Sequence, residues 1–194
     1  CNKQRLEARK NSKVKARVFD GLLIRHWNHW RGERRSHVFV VPADGESAPR
    51  DLTPGPHDAP PISLGGDPDY AISPDEKTLA YVANTDQVVA TSTNNDVFEV
   101  PIAGGKPTRV STGKGNDNSP RYSQDGRFLA FLSMKRAGYE SDRPRVMVRD
   151  RRTGKVSEWS KGYTGHPISL LWSPDSTMLY FNAPHHGHLE LFSV

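Results

Sequence analysis

The sequence predicts an all-β fold, a partial β-propeller of four-stranded blades, and three observations predict it. The first is a self-match at a fixed 50-residue period. Ser73-Pro-Asp-Glu-Lys-Thr-Leu-Ala-Tyr-Val-Ala, Ser123-Gln-Asp-Gly-Arg-Phe-Leu-Ala-Phe-Leu-Ser and Ser173-Pro-Asp-Ser-Thr-Met-Leu-Tyr-Phe-Asn-Ala align without a gap. Periods of roughly 40–50 residues with strand patterning are the signature of propeller blades. The second is the nearly unbroken apolar run after each turn, the pattern of a strand covered on both faces. The third is composition: Gly 16 and Pro 15 in 194 residues supply many turns, which suits short strands better than long helices.

Each element has a local reason. In every copy an apolar or aromatic residue (Ile72, Tyr122, Trp172) ends one strand. A Ser-Pro-Asp or Ser-Gln-Asp-Gly segment then turns the chain, Pro fixing φ where it is present and Asp accepting backbone N–H bonds. A second hairpin runs from Asp96 through Gly104 to Val110, and its counterpart from Arg145 through Gly154 to Trp159. An earlier version is His37-Val-Phe-Val-Val-Pro-Ala-Asp-Gly-Glu, and the last is cut short at Leu191-Phe-Ser-Val194. The expected organisation is a basic leader at 1–17, a partial blade at 18–53, blades at 69–112 and 119–161, and a truncated blade at 168–194. At the open end Leu179, Tyr180 and Phe181 are expected to be exposed, because a terminal repeat lacks a neighbour.

Charge narrows the partners. Residues 1–17 hold seven Lys or Arg against Glu7 alone, which leaves 20 basic and 21 acidic residues in 18–194. A nearly neutral body is a poor polyanion binder, so no nucleic-acid partner is expected. No apolar run approaches membrane-spanning length, and no membrane association is expected. The chain begins at Cys1 with no signal peptide after it, which points to a natural start further upstream and leaves the compartment unassigned. A single cysteine excludes an internal disulfide framework.

Blade topology sorts the connections. Turns between first and second strands, and between third and fourth, are short. The second-to-third loops (84–95 and 134–144) and the interblade links (53–68 and 112–119) are long, and share the opposite face. Long loops on a rigid scaffold are where function usually sits.

Six further segments are distinctive: Ser12-Lys-Val-Lys-Ala-Arg-Val-Phe-Asp, Arg25-His-Trp-Asn-His-Trp, Arg35-Ser-His-Val-Phe-Val, Pro56-His-Asp-Ala-Pro-Pro, Thr91-Ser-Thr-Asn-Asn-Asp and Arg136-Ala-Gly-Tyr-Glu-Ser-Asp-Arg. With them the chain resembles the propeller of bacterial prolyl-oligopeptidase-family (S9) serine peptidases, in the acylaminoacyl-peptidase and dipeptidyl-peptidase-5-like branch. The resemblance implies a propeller that gates access for short peptides to a C-terminal α/β-hydrolase domain carrying a Ser, Asp and His triad. No catalytic residue carries over to this chain. It has no Gly-x-Ser-x-Gly elbow, and the nearest imitation, Gly45-Glu-Ser-Ala-Pro, has Pro49 where the second Gly belongs. The Ser-Pro-Asp repeat is also shared by TolB-like propellers, which leaves a protein-binding module or scaffold as the alternative reading.

The candidate substrate-binding residues are Glu140, Tyr139, Arg143 and Asn95. Glu140 would bind a peptide's ammonium beside the aromatic wall of Tyr139, with Asn94, Asn95 and Asp96 contributed by the preceding blade. The same residues also fit a solvated loop in which Glu140 and Arg143 pair. His26, Trp27, His29 and Trp30 form an aromatic patch suited either to a domain interface or to packing within the propeller. His185, His186 and His188 have only Glu190 near them, which reads better as a solvated loop than as a metal site. Gly115-Asn-Asp-Asn lacks the pattern of a calcium loop and reads as a turn. No cofactor or metal is expected.

Overall fold

The computed structural model describes residues 2–16, 18, 19, 21–32, 34–64 and 69–194. Cys1 and Arg17 of the leader, and residues 65–68 of the first long link, lie outside these. The leader forms one helix, α1 (Asn2–Asn11), too short and too polar to cross a membrane. A small hairpin follows, β1 (Arg25–His26) with β2 (His29–Trp30), then a second pair, β3 (Phe39–Val40) with β4 (Arg50–Asp51).

Two four-stranded antiparallel meanders come next. The first is β5 (Tyr70–Ile72), β6 (Thr78–Asn84), β7 (Asn95–Pro101) and β8 (Thr108–Arg109). The second is β9 (Asp117–Tyr122), β10 (Phe128–Ser133), β11 (Arg145–Asp150) and β12 (Val156–Glu158). A three-stranded sheet ends the chain: β13 (Ser169–Trp172), β14 (Leu179–His185) and β15 (His188–Ser193).

The repeated turn is built identically three times. Ser73, Ser123 and Ser173 each donate their hydroxyl to the Asp two residues on, at 2.6 Å. The same hydroxyl accepts from the backbone of Thr78, Phe128 and Met178 at 3.0, 2.9 and 2.9 Å. Asp75, Asp125 and Asp175 accept from the backbone N–H two residues further, at 3.2, 3.0 and 3.1 Å. These bonds, the serine's first, hold all three carboxyls below their ordinary pKa. The Ser, Asp and period of the sequence are thus one hydrogen-bonded corner that fixes the angle between the first two strands.

Alternation along the second strand of each sheet joins one sheet to the next. On β6, Leu79, Tyr81 and Ala83 face Leu52 and Ala59, while Ala80 and Val82 face Tyr122, Leu129 and Phe131 of the following sheet. On β10, Ala130 and Leu132 turn the other way and pack on Leu170, Trp172, Leu179 and Phe181. Each fully buried Leu or Phe contributes about 1.5–3 kcal/mol at such a seam. Trp172 adds a directional contact, its indole N–H donating to the Arg121 carbonyl at 3.0 Å.

The last sheet departs from expectation. Leu179 and Phe181 are buried, and Tyr180 is half-buried. The exposed apolar residues are instead Leu171, Leu189 and Leu191, at 66, 64 and 68%. The period-2 alternation explains the correction: Leu179 and Phe181 face inward onto the preceding sheet, which covers them, and only the opposite face is bare.

Candidate functional site

Antiparallel topology brings loops 85–94 and 134–144 to the same end of their sheets, and a bond joins them. The Gly138 backbone N–H donates to the Thr93 hydroxyl at 2.8 Å. Each loop is held from within. Asp86 accepts from the Ser92 hydroxyl at 2.6 Å and the Asn94 amide at 3.1 Å, bonds that hold its carboxyl below the ordinary value. Asp142 accepts from the Lys135 and Arg136 backbones at 2.7 and 2.8 Å. Its desolvation acts upward, but these backbone bonds prevail and its pKa is lowered.

Glu140 stands on this clamped loop with its side chain exposed. It lines a cleft of about 260 Å³ together with Gly138 and Thr91, Ile62 of the link, and Leu23 and His26 of the N-terminal segment. Tyr139 is 45% exposed and carries the Arg136 guanidinium 4.3 Å from its ring centroid. Arg143 turns away. It donates to the Tyr163 carbonyl at 2.6 Å and lies 3.7 Å from Glu158, so the ion pair it makes is with Glu158.

Asn95 is not on the surface. It opens β7, is 1% exposed, and its amide donates to Asn116 at 2.9 Å and to the Ser63 carbonyl at 3.1 Å. Its place is behind the cleft wall, tying the link to the sheet. Asp96 is also buried. Desolvation raises its pKa, opposed by the Ser111 hydroxyl at 2.7 Å and by Arg109 at 2.7 Å.

Trp27 and Trp30 of the aromatic patch are exposed, and Trp30 stacks on Phe19 with centroids 5.8 Å apart. His185 contacts Glu190 at 3.0 Å. Among the described residues no three His, Cys, Asp or Glu side chains are placed to share a metal ion. At Gly115 a Cβ would lie 2.3 Å from the Met134 carbonyl oxygen, so the glycine there serves close backbone approach. Sequence reasoning missed Leu23 and Ile62 as cleft walls; His26, singled out for its aromatic neighbours, was the one signal pointing there.

No protein-family model matches the chain. It is 32% identical to dipeptidyl-peptidase 5 of Porphyromonas gingivalis over 188 residues, covering 94% of this chain and 27% of that protein. It is 29% identical to dipeptidyl-peptidase 5 of Arthroderma otae over 204 residues, covering 92% of this chain and 28% of that one. The chain is homologous to part of the S9-family dipeptidyl-peptidases 5. It spans a little over a quarter of the length of these dipeptidyl-peptidase 5 relatives. The crystal structure of TolB from Acinetobacter baumannii superimposes with a TM-score of 0.57 at 19% identity, covering 78% of this chain and 33% of that one. At that identity the likeness is one of fold, and the fold is the propeller. The segments that match the dipeptidyl-peptidase 5 proteins therefore include both clamped loops and the N-terminal wall of the cleft.

Proposed function

We propose that this chain is the non-catalytic propeller part of an S9-family serine exopeptidase of the dipeptidyl- or acylaminoacyl-peptidase kind. In this reading it gates access to an α/β-hydrolase domain of the same protein and helps position short peptides for it. The observation that carries the reading is Glu140: an exposed carboxylate on a braced loop, lining a cleft on the long-loop face, with Arg143 committed elsewhere. An exopeptidase that measures from a free amino terminus needs a fixed anion at one end of its substrate. A charge-assisted bond of this kind contributes roughly 1.5–3 kcal/mol. Tyr139 and Arg136 shape the rim, Arg143 secures the loop's trailing end, and Asn95 anchors the floor from behind.

The test is calorimetric titration of the chain with short free-amine peptides and their N-acetylated twins. Acetylation should weaken binding about tenfold or more, and Glu140→Gln should abolish the difference. Equal affinity for both forms in the unaltered chain would overturn the reading.

A further inference from the structure

The β14–β15 hairpin turns on two residues, His186 and Gly187, whose φ values of 46° and 81° are both positive. A two-residue turn of that kind sets its flanking residues directly opposite each other, and His185 is in register with His188. Directly opposed residues of an antiparallel pair share a face, with Cβ atoms roughly 4.5–5.5 Å apart. Glu190, two residues beyond His188, is on that face too, and its carboxylate meets His185 Nδ1 at 3.0 Å. The His185 ring is further set by Phe192, edge-on at 5.9 Å between centroids, and by the His186 ring at 4.1 Å. Its second nitrogen, Nε2, has no hydrogen-bond partner among the described residues, and His188 stands exposed.

We infer that this tip binds a borderline transition-metal ion, zinc, nickel or copper, through His185 Nε2 and a ring nitrogen of His188. A carboxylate that accepts Nδ1–H leaves the lone pair on Nε2. It is the usual companion of a metal-bound imidazole, fixing the tautomer and the orientation of the ring. Glu190 therefore stands behind His185 as its support and not as a ligand. Two protein ligands are involved rather than three, in keeping with the absence, among the described residues, of any three such side chains placed to share an ion. Water fills the remaining positions. Imidazole donors suit these ions, whereas calcium and magnesium take oxygen. The sequence alone reads His185, His186 and His188 as a solvated loop, because spacing does not show that two of them face each other across a hairpin with a carboxylate behind. The turn joins the second strand of its sheet to the third, as loops 85–94 and 134–144 do in theirs, so the ion sits on the long-loop face.

The experiment titrates the chain calorimetrically with zinc chloride and, separately, with calcium chloride near neutral pH. The chain should bind zinc and not calcium. His188→Gln, at an exposed position, should remove the zinc binding, and His185→Gln should do the same, with circular dichroism confirming the fold of each. Glu190→Ala should weaken binding about tenfold to a hundredfold without removing it, the usual effect of losing such a support. His186→Asn, which keeps a residue suited to the turn, should leave binding unchanged. Affinity should fall as the solution is acidified, since protons compete for the ring nitrogens. Absence of zinc binding in the unaltered chain overturns the inference. So does zinc binding that survives both His185→Gln and His188→Gln, which would put the ion at another histidine or at Cys1. Calcium bound as tightly as zinc overturns it as well, because two imidazoles do not hold that ion.

Discussion

The Tyr122 hydroxyl donates to Glu99 at 2.9 Å across the seam between two successive sheets. Arg149 and Arg151 of the second sheet converge on the same carboxylate, Arg151 at 3.1 Å. Burial, then the adjacent Glu99 charge, drives the Tyr122 pKa upward, so the phenol keeps its proton and remains the donor. Tyr122→Phe should cost about 1 kcal/mol. Glu99→Ala should cost more, about 2–3 kcal/mol after allowance for partial exposure, because it leaves two guanidiniums facing an apolar seam. Urea unfolding of both variants checks the order; equal and negligible losses would show a seam held by apolar packing alone.

The repeated corner predicts a second result. Ser123 is fully buried and its hydroxyl both donates and accepts. Ser123→Ala should cost about 1–3 kcal/mol, since the Phe128 N–H loses its side-chain acceptor. Asp125→Ala should cost less, its carboxylate being open to water. Thermal melts of the pair would show Ser123→Ala with the lower midpoint, and the reverse order would assign the corner's strength to the carboxylate.

The contrast between Leu129 and Leu179 shows what the sequence could and could not say. Both sit at the same point of the repeat, and both are buried; Leu129 was legible as core because the period, turn and apolar run recur together, whereas Leu179, in the last repeat, was expected to be exposed. The turn's geometry was equally legible, since Ser and Asp at fixed spacing have few other ways to satisfy a tight corner. What failed was the expectation that Leu179, Tyr180 and Phe181 of β14 are all exposed. Coverage depends on which neighbour exists, and the strand's own residues do not record that. Asn95 was read as a loop residue because strand limits blur by a residue or two. That small shift put it inside β7, where it is buried. Glu140 was legible as a loop carboxylate, but Leu23 and Ile62 across the cleft come from far along the chain and carry no local signal.

Asp117 gives a pH-dependent prediction. It is fully buried, and neither carboxylate oxygen has an aligned donor. Burial pushes its pKa up to about 6, against the partial relief of the nearby Ser133 and Ser111 hydroxyls. A carboxyl whose pKa rises on folding binds its proton more tightly in the folded state. Its ionisation therefore costs nothing at low pH and destabilises increasingly as pH climbs from the ordinary carboxylate value through about 6. Asp117→Asn should stabilise the protein by up to about 3 kcal/mol near pH 8 and by almost nothing near pH 4. A gain of the same size at both pH values would trace the effect to shape rather than charge.

The bare face of the last sheet predicts self-association. Leu171 and Leu191 stand exposed on it, and Tyr180 and Asn182 lie between them in register. Exchanging both leucines for lysine should reduce association at micromolar concentration while changing stability by only about 0.5 kcal/mol each. Phe181→Ala, one strand position away on the covered face, should instead cost about 3–5 kcal/mol. Sedimentation velocity and denaturant melts separate the two effects, and unchanged sedimentation of the double lysine variant would remove this face as the source of association.

Glu140 carries the last prediction, set in a protein that joins this chain to a hydrolase domain. The carboxylate is exposed on a loop that Asp142 and the Gly138–Thr93 bond hold in place, so it need not be ordered again when a peptide arrives. Losing one ammonium–carboxylate bond removes roughly 1.5–3 kcal/mol, and Glu140→Gln should therefore lower kcat/KM by about tenfold to a hundredfold. The loss should fall on substrates with a free amine and spare their N-acylated counterparts, because only the former present a cation to the lost charge. Stability should change by less than about 0.5 kcal/mol, as expected of an exposed loop substitution, so the kinetic effect cannot be assigned to unfolding. Equal loss on both substrate types would make Glu140 a support of the loop's shape. No loss on either would make it a solvated side chain and move the amine site elsewhere on the face.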